Sequence, residues 1–240
     1  MVDIFKEILN SEQKSAELSE LIGIILGDGH MHTFCNRIYI SGSLFDELYY
    51  KNRVSFLFDS LFNLKPKIYK RSDRNSYILQ VENKKVFNFL VFDLGLLRGR
   101  KKLRASIPNF IINNERLFPF LLRGLFDTDG SFKFSKQNKG YAYYPRIRLS
   151  SQESPMIEQI KYCLSVLGFN YGFYINSKKG NIVYIFEISG KKNFFKWMDT
   201  VGSLNLVHFT KFLIWKKFGY YDKSQSFYER CSLLNIDKNL

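Results

Sequence analysis

Leu21-Ile22-Gly23-Ile24-Ile25-Leu26-Gly27-Asp28-Gly29 and Leu122-Arg123-Gly124-Leu125-Phe126-Asp127-Thr128-Asp129-Gly130 are two copies of one pattern. Each reads as the last turns of an apolar helix closed by an Asp-Gly pair. Small residues recur four positions apart, Gly23 with Gly27 and Gly124 with Thr128. Such spacing leaves a shallow groove in which two helices can pack almost backbone to backbone. The glycine after each aspartate predicts a left-handed helix cap. The aspartates themselves are out of place, because a carboxylate at the negative end of a helix macrodipole costs ~0.3–1 kcal/mol. A duplicated residue that is locally unfavourable implies something to hold. If the two helices lie side by side, Asp28 and Asp129 emerge together, and adjacent carboxylates call for a divalent cation.

Bulk properties point the same way. The 240 residues suffice for a full core, and 45% hydrophobic content is ordinary for a globular chain. Against that, 36 basic and 22 acidic residues leave a formal charge of +14, with a pI near 9.6. The excess calls for a polyanionic partner, nucleic acid before an anionic membrane. No apolar run approaches the ~20 residues that span a bilayer, and Met1 to Lys6 lacks a signal-peptide core. An intracellular chain, cytoplasmic or organellar, is expected. Cys35, Cys163 and Cys231 are scattered and odd in number, so they predict reduced thiols and match no zinc spacing. His30 and His32 flank the first motif, but three histidines in all are too few for a zinc cluster.

Element order repeats around the two motifs. Residues 1–15 read as a helical lead-in, with Ser15 as N-cap of the first motif helix. Arg37 to Ser41 alternates as a half-buried strand. Leu44 to Leu64 is helical in spacing, 67–70 and 77–81 form a hairpin, and 84–94 is a helix ending at Gly95. After the basic run Arg98 to Arg104, a helix from about Glu115 carries the second motif. Phe132 to Ser135 and Arg146 to Ser150 then alternate as strands, 156–167 is helical, 171–176 and 182–188 form a hairpin, and 191–201 is a helix ending at Gly202. The offset is 101 residues at the aspartates and 107 at Gly95 and Gly202. Two repeats, 1–109 and 110–220, are expected, with 221–240 a peripheral helix or loose tail.

The doubled motif and this order resemble the LAGLIDADG homing endonucleases over residues 15 to 217. The resemblance implies an α+β fold of two pseudo-symmetric αββαββα subdomains, joined by the motif helices, whose antiparallel sheets form a DNA-binding saddle. It implies Mg2+ (or Mn2+) at Asp28 and Asp129, with Gly27 and Thr128 as further metal-ligand candidates. Each aspartate would serve one of two strand-specific sites with a basic and a polar partner. Lys101 fits the basic position after Gly95; the same step from Gly202 lands on His208, with Lys211 as the alternative. Gln152 fits the polar position, and its counterpart is Ser43. Alternation puts Arg37, Tyr39 and Ser41, and likewise Lys133, Ser135, Arg146 and Arg148, on faces opposite the apolar residues. With Lys70, Arg71, Lys178 and Lys179 in the hairpins, these are the candidate DNA contacts. Few acids are expected among them.

The function so implied is site-specific cleavage of both strands of duplex DNA, by a monomer, since one chain holds both motif helices. An RNA-binding intron maturase acting on its host intron is the alternative, as is a DNA-binding protein that has lost cleavage. An intein is disfavoured by the start at Met1, the end at Asp237 to Leu240 and the lack of flanking splicing modules.

Overall fold

A computed structural model describes residues 4–137, 140–178 and 181–236. Helix α1 (Ile4–Asn10) leads into α2 (Glu12–Gly27), the first motif helix. The N-cap of α2 is Ser11, whose side chain accepts from the Lys14 N–H. Ser15, expected as the cap, lies one turn inside the helix and donates its hydroxyl to the Glu12 carbonyl. The helix therefore starts one turn earlier than the sequence pattern suggested.

The first half continues through β1 (Gly29–Met31), β2 (Arg37–Ser43), α3 (Ser55–Phe62), β3 (Lys67–Lys70), β4 (Ser76–Glu82) and α4 (Lys84–Asn88). The expected helix over 44–64 is broken into a 3-10 turn at Leu44–Asp46, a π-helical turn at Tyr49–Val54 and α3. It ends on Asn63, in a left-handed conformation at φ 51°, shortly before Pro66. The second half holds α5 (Asn109–Ile112), α6 (Phe118–Asp129), β5 (Gly130–Ser135), β6 (Tyr144–Gln152), α7 (Met156–Val166), β7 (Gly172–Lys178), β8 (Asn181–Ser189) and α8 (Lys191–Thr200). Two further helices follow, α9 (Leu206–Phe218) and α10 (Phe227–Leu233).

The two halves build the same antiparallel sheet, ordered β1-β2-β4-β3 in one and β5-β6-β8-β7 in the other. Even the register repeats: Gly29 pairs with Ile40 where Gly130 pairs with Leu149. Inward-facing Ile38, Ile40, Leu79 and Val81 back the first sheet; Phe132, Phe134, Ile147, Leu149, Phe186 and Ile188 back the second. The fold is α+β, two αββαββα halves joined through their motif helices.

Those helices touch at glycine. A methyl group built on Gly23 would lie 2.3 Å from the Leu121 carbonyl oxygen, and one on Gly124 2.2 Å from that of Glu20. Beside this contact the Glu20 carboxylate, fully buried, accepts two hydrogen bonds from Arg53 and lies 3.5 Å from Arg123 of the other half. The expected left-handed caps are absent: Gly130 has φ −91°, and neither Gly29 nor Gly130 has positive φ. Space is the reason for glycine there. The chain folds back so tightly that a Cβ at Gly29 would sit 2.5 Å from the Ile25 backbone, and one at Gly130 2.4 Å from the Phe126 carbonyl oxygen.

The C-terminal segment, expected to be a peripheral helix or a loose tail, is packed on the rest of the chain through Ile236. Arg230 of α10 is buried and donates to the Thr210 hydroxyl, the Tyr221 hydroxyl and the carbonyls of Gln225 and Val207. Phe227 and Tyr228 pack on Phe45 of the first half, so α10 bridges back across the repeat boundary.

Candidate active site

At the end of α2, Asp28 is half-buried, and its backbone N–H still bonds the Ile24 carbonyl. The Tyr50 hydroxyl donates to its carboxylate at 3.4 Å. Burial, then the nearby Asp129 and Asp46 carboxylates, push Asp28 up to about 7, opposed by Lys101 and the Tyr50 bond. Asp46 accepts from the Ser43 N–H (2.9 Å), the Ser43 hydroxyl (2.7 Å) and the Asn205 side-chain amide (2.8 Å). Asn205 is buried, and its amide also donates to the Asp127 carbonyl at 3.0 Å. One asparagine from the second half thus ties the acidic flank of Asp28 to the neighbouring motif helix.

The other side is open. Asp129 is exposed on a cleft of about 570 Å³ whose lining includes His30, Lys101, Ser150 and Gln152. Lys101 donates its ammonium protons to the carbonyls of Ile25 (3.1 Å), Leu26 (2.7 Å) and Gly27, the unpaired end of α2. Burial lowers the Lys101 pKa while the Asp129 and Asp28 carboxylates oppose the shift. The protein packed about the Asp129 carboxylate raises its pKa, and Lys101 opposes that rise.

The structure brings together Asp28, Asp129, Lys101 and Gln152 as the sequence suggested. His208 does not belong with them. It is 8% exposed, packs on Phe126 at 5.1 Å, and is pushed down to about 3 by burial and the cations of Lys211, Arg230 and Lys133. It is a core residue behind α6. Lys211, one turn on, lies nearer the site: burial lowers it to about 8, and Asp46 pulls the other way. Two metal-ligand candidates are already engaged, since the Gly27 carbonyl accepts from Lys101 and the Thr128 hydroxyl donates to Gly124 and Leu125 carbonyls. Asp46, Tyr50 and Asn205 were not foreseen, and His30 was noted beside the first motif without a role. Of the three unforeseen residues only Asp46 carried a local signal, standing three residues after Ser43 in a capping box.

Arg37, Tyr39 and Ser41 line the outward face of the first sheet, and Lys133, Ser135, Arg146 and Arg148 that of the second. Acids share these faces. Glu82 pairs with Arg37 at 2.7 Å, while buried Glu187 accepts from both Arg146 and Arg148. Lys70 stands opposite Tyr77, on the same side as Ile68 and Leu79, and so faces away; Lys67 and Tyr69 take the outward positions of β3. Arg71 is paired with Asp73 within its own turn. Lys178 ends β7, and Lys179 lies outside the described residues.

Residues 120–202 match the LAGLIDADG-like domain family. The architecture agrees with solved LAGLIDADG structures. I-DmoI, in complex with DNA and Mn, superposes with a TM-score of 0.53 at 22% identity, over 78% of this chain and 97% of that one. Full-length DUF199/WhiA from Thermatoga maritima gives 0.54 at 19% identity, over 83% and 60%. This chain carries the two-repeat LAGLIDADG fold. Among curated proteins it is similar to the replication factor C small subunit of Methanocaldococcus jannaschii, 28% identical over 200 residues, 81% of this chain and 10% of that protein. The glutamine–fructose-6-phosphate aminotransferase of the same organism is 30% identical over 125 residues, 52% of this chain and 11% of that protein. The chain spans about a tenth of the length of these curated relatives.

No group of three or more His, Cys, Asp or Glu among the described residues is arranged to hold a metal ion. The donor set at the helix ends is Asp28 and Asp129, two carboxylates close enough that one raises the pKa of the other. Two hard oxygen donors beside an open cleft fit a divalent cation that takes its other ligands from water or a phosphate. No helix among the described residues is long and apolar enough to cross a membrane.

Proposed function

We propose that this chain is a divalent-metal-dependent endonuclease of the homing type, cutting both strands of a long asymmetric duplex DNA site. The observation that carries this reading is the pair of carboxylates at abutting motif-helix ends, each with a separate polar flank. Asp28 and Asp129 would hold the cation, which when bound polarises the phosphate and activates water. Around Asp129, Lys101 stays fixed on the α2 carbonyls and contributes its positive charge, while Gln152 orients solvent and phosphate oxygens. Around Asp28, the Tyr50 hydroxyl fixes the carboxylate, and Lys211, lowered to about 8, can exchange a proton near neutral pH.

The outward sheet faces supply the DNA contacts, with Lys133, Arg146, Arg148, Arg37 and Lys67 as phosphate or base-edge donors. Their pairing with Glu82 and Glu187 holds the arginine forks in one orientation. The relatives add support. I-DmoI was solved with DNA and Mn, and two proteins of unrelated name in one organism each carry a similar segment over about a tenth of their length. That distribution suits an element that inserts itself into host genes. WhiA shares the fold, so a DNA-binding protein without cleavage is the second reading; the intact aspartates in both repeats favour the nuclease.

The test is incubation with plasmids carrying the insert-free host site, with and without Mg2+ or Mn2+. Linear product that requires the metal supports the reading. Sequence-specific binding with no cleavage under any divalent metal would replace it with the second. Light scattering should give a monomer mass, because the two motif helices already make within one chain the interface that a single-motif protein makes by dimerising.

A further inference from the structure

We propose that Phe34 is an apolar wedge that inserts at a base step of duplex DNA bound on the outward face of the first sheet. The proposal rests on the DNA-binding reading of that face. Phe34 is 92% exposed, at the tip of the loop joining β1 to β2. A single exposed phenylalanine is common on proteins; the loop beneath this one is not slack. The Nδ1 atom of His32 accepts hydrogen bonds from the backbone N–H groups of both Phe34 (3.1 Å) and Cys35 (3.2 Å), which fixes the turn. The His32 ring stands edge-on to Phe34 at 6.3 Å and to Tyr39 at 6.2 Å, so the tip is continuous with the outward face of β2.

Other exposed phenylalanines are covered differently. Phe45 packs on Phe227 and Tyr228, and Phe92 lies under the Arg98 guanidinium at 5.2 Å. Phe34 is held out by its own backbone instead. Charge says what meets it. The Gly99 N–H bonds the Met31 carbonyl at 2.7 Å, which brings the segment continuing into Arg100 and Lys102 against β1 beside this loop. A rigid apolar tip next to cations suits a polyanion with stacked apolar steps inside it, and apolar side chains that enter such steps unstack and bend the duplex.

The test uses the full chain in EDTA and a duplex that it enriches from a randomised pool. Phe34→Ala should weaken binding about tenfold, the scale of losing one stacked base contact. It should lower the bend seen by energy transfer between duplex ends, with an unchanged melting temperature. The dependence of affinity on salt should not move, since no phosphate contact is lost, whereas Arg148→Ala should make it shallower. Phe34→Trp should bind within about twofold of wild type, and His32→Ala should lose part of the affinity through a loosened loop. Wild-type affinity and bend in Phe34→Ala would overturn the wedge while leaving the DNA face standing. Loss of affinity only with a lowered melting temperature would overturn it too. Failure of the intact chain to enrich any duplex overturns both.

Discussion

Asp129 stands open on a cleft beside Lys101 and Gln152, whereas Asp28 is half-buried beneath Tyr50, with Asp46 close behind it and Lys211 beyond. Each flank mixes the halves. Lys101 belongs to the first repeat and stands beside the second repeat's aspartate; Asn205 and Lys211 belong to the second and stand beside the first's. Where the two backbones come closest, at Gly23 and Gly124, the repeats remain alike. Where they meet solvent, they have diverged into one lysine bound to a helix end and another set beside an acid. Close packing tolerates no drift, because an added methyl has nowhere to go; a polar flank has several chemical solutions.

The largest effect should come from the shared aspartates. Asp28→Asn and Asp129→Asn should each cut double-strand cleavage by about a hundredfold or more, the scale of removing one charge-stabilising group from a reaction centre. DNA binding should persist, since neither residue lies on a sheet face. If each flank serves one strand, each variant should leave nicked circles, with opposite strands cut, readable on a denaturing gel with end-labelled duplex. Linear product at the wild-type rate from either variant would remove that aspartate from the chemistry.

Next in size is the part the repeats hold in common. Gly23→Ala and Gly124→Ala should each cost about 3 kcal/mol or prevent folding, because the new Cβ would meet a carbonyl oxygen at 2.3 or 2.2 Å. Urea denaturation measures this, and a variant of unchanged midpoint would mean that the helices are not in backbone contact. This contact was legible in the sequence, since small residues one turn apart allow little else when doubled. The strands were legible too, through alternation. The helix ends were not: Gly29 and Gly130 looked like left-handed caps, and only the fold-back onto Ile25 and Phe126 reveals a different need for glycine. Of the two basic candidates for the second flank, His208 turns into the core and Lys211 lies nearer the site, a choice that equal spacing from Gly202 could not make without knowing the face of α9. Asp46, Tyr50 and Asn205 meet only through tertiary packing, so no local pattern could announce their meeting.

The two lysines should separate the flanks more finely. Lys101→Met strips three helix-end carbonyls of their donor and should lower metal-free stability by about 2 kcal/mol, within the range for hydrogen bonds to a charged group. Lys211→Met should leave the melting temperature unchanged or raise it, since burial already disfavours that ammonium. Equal losses in the two would mean that the flanks differ less than their geometry says.

The sharpest separation of the two regions is in pH. Asp28 and Asp127 are both pushed up to about 7 from an ordinary value of 3.8, each mainly by burial. Asp127 is 2% exposed and accepts from the Ser203 hydroxyl and the Leu204 N–H. In each case the folded chain keeps a proton that the unfolded chain releases between pH ~4 and ~7. The stability this contributes is therefore present below about pH 4 and lost as pH rises through about 7. His208, pushed down to about 3, has the opposite sign: its contribution is present above its ordinary 6.5 and lost as pH falls through about 3. Differences between wild type and a single variant cancel the other groups. Relative to wild type, Asp127→Asn and Asp28→Asn should each gain stability as pH rises from 4 to 7 in EDTA. Adding Mg2+ should suppress that gain for Asp28→Asn, because wild type then has a cation to accept the charge. It should leave the gain for Asp127→Asn in place, because Asp127 faces the buried 203–204 segment and not the helix end. Chemical denaturation across that pH range, with and without Mg2+, decides the matter: two variants that respond alike to the metal would mean that Asp28 is no more a cation ligand than its buried neighbour.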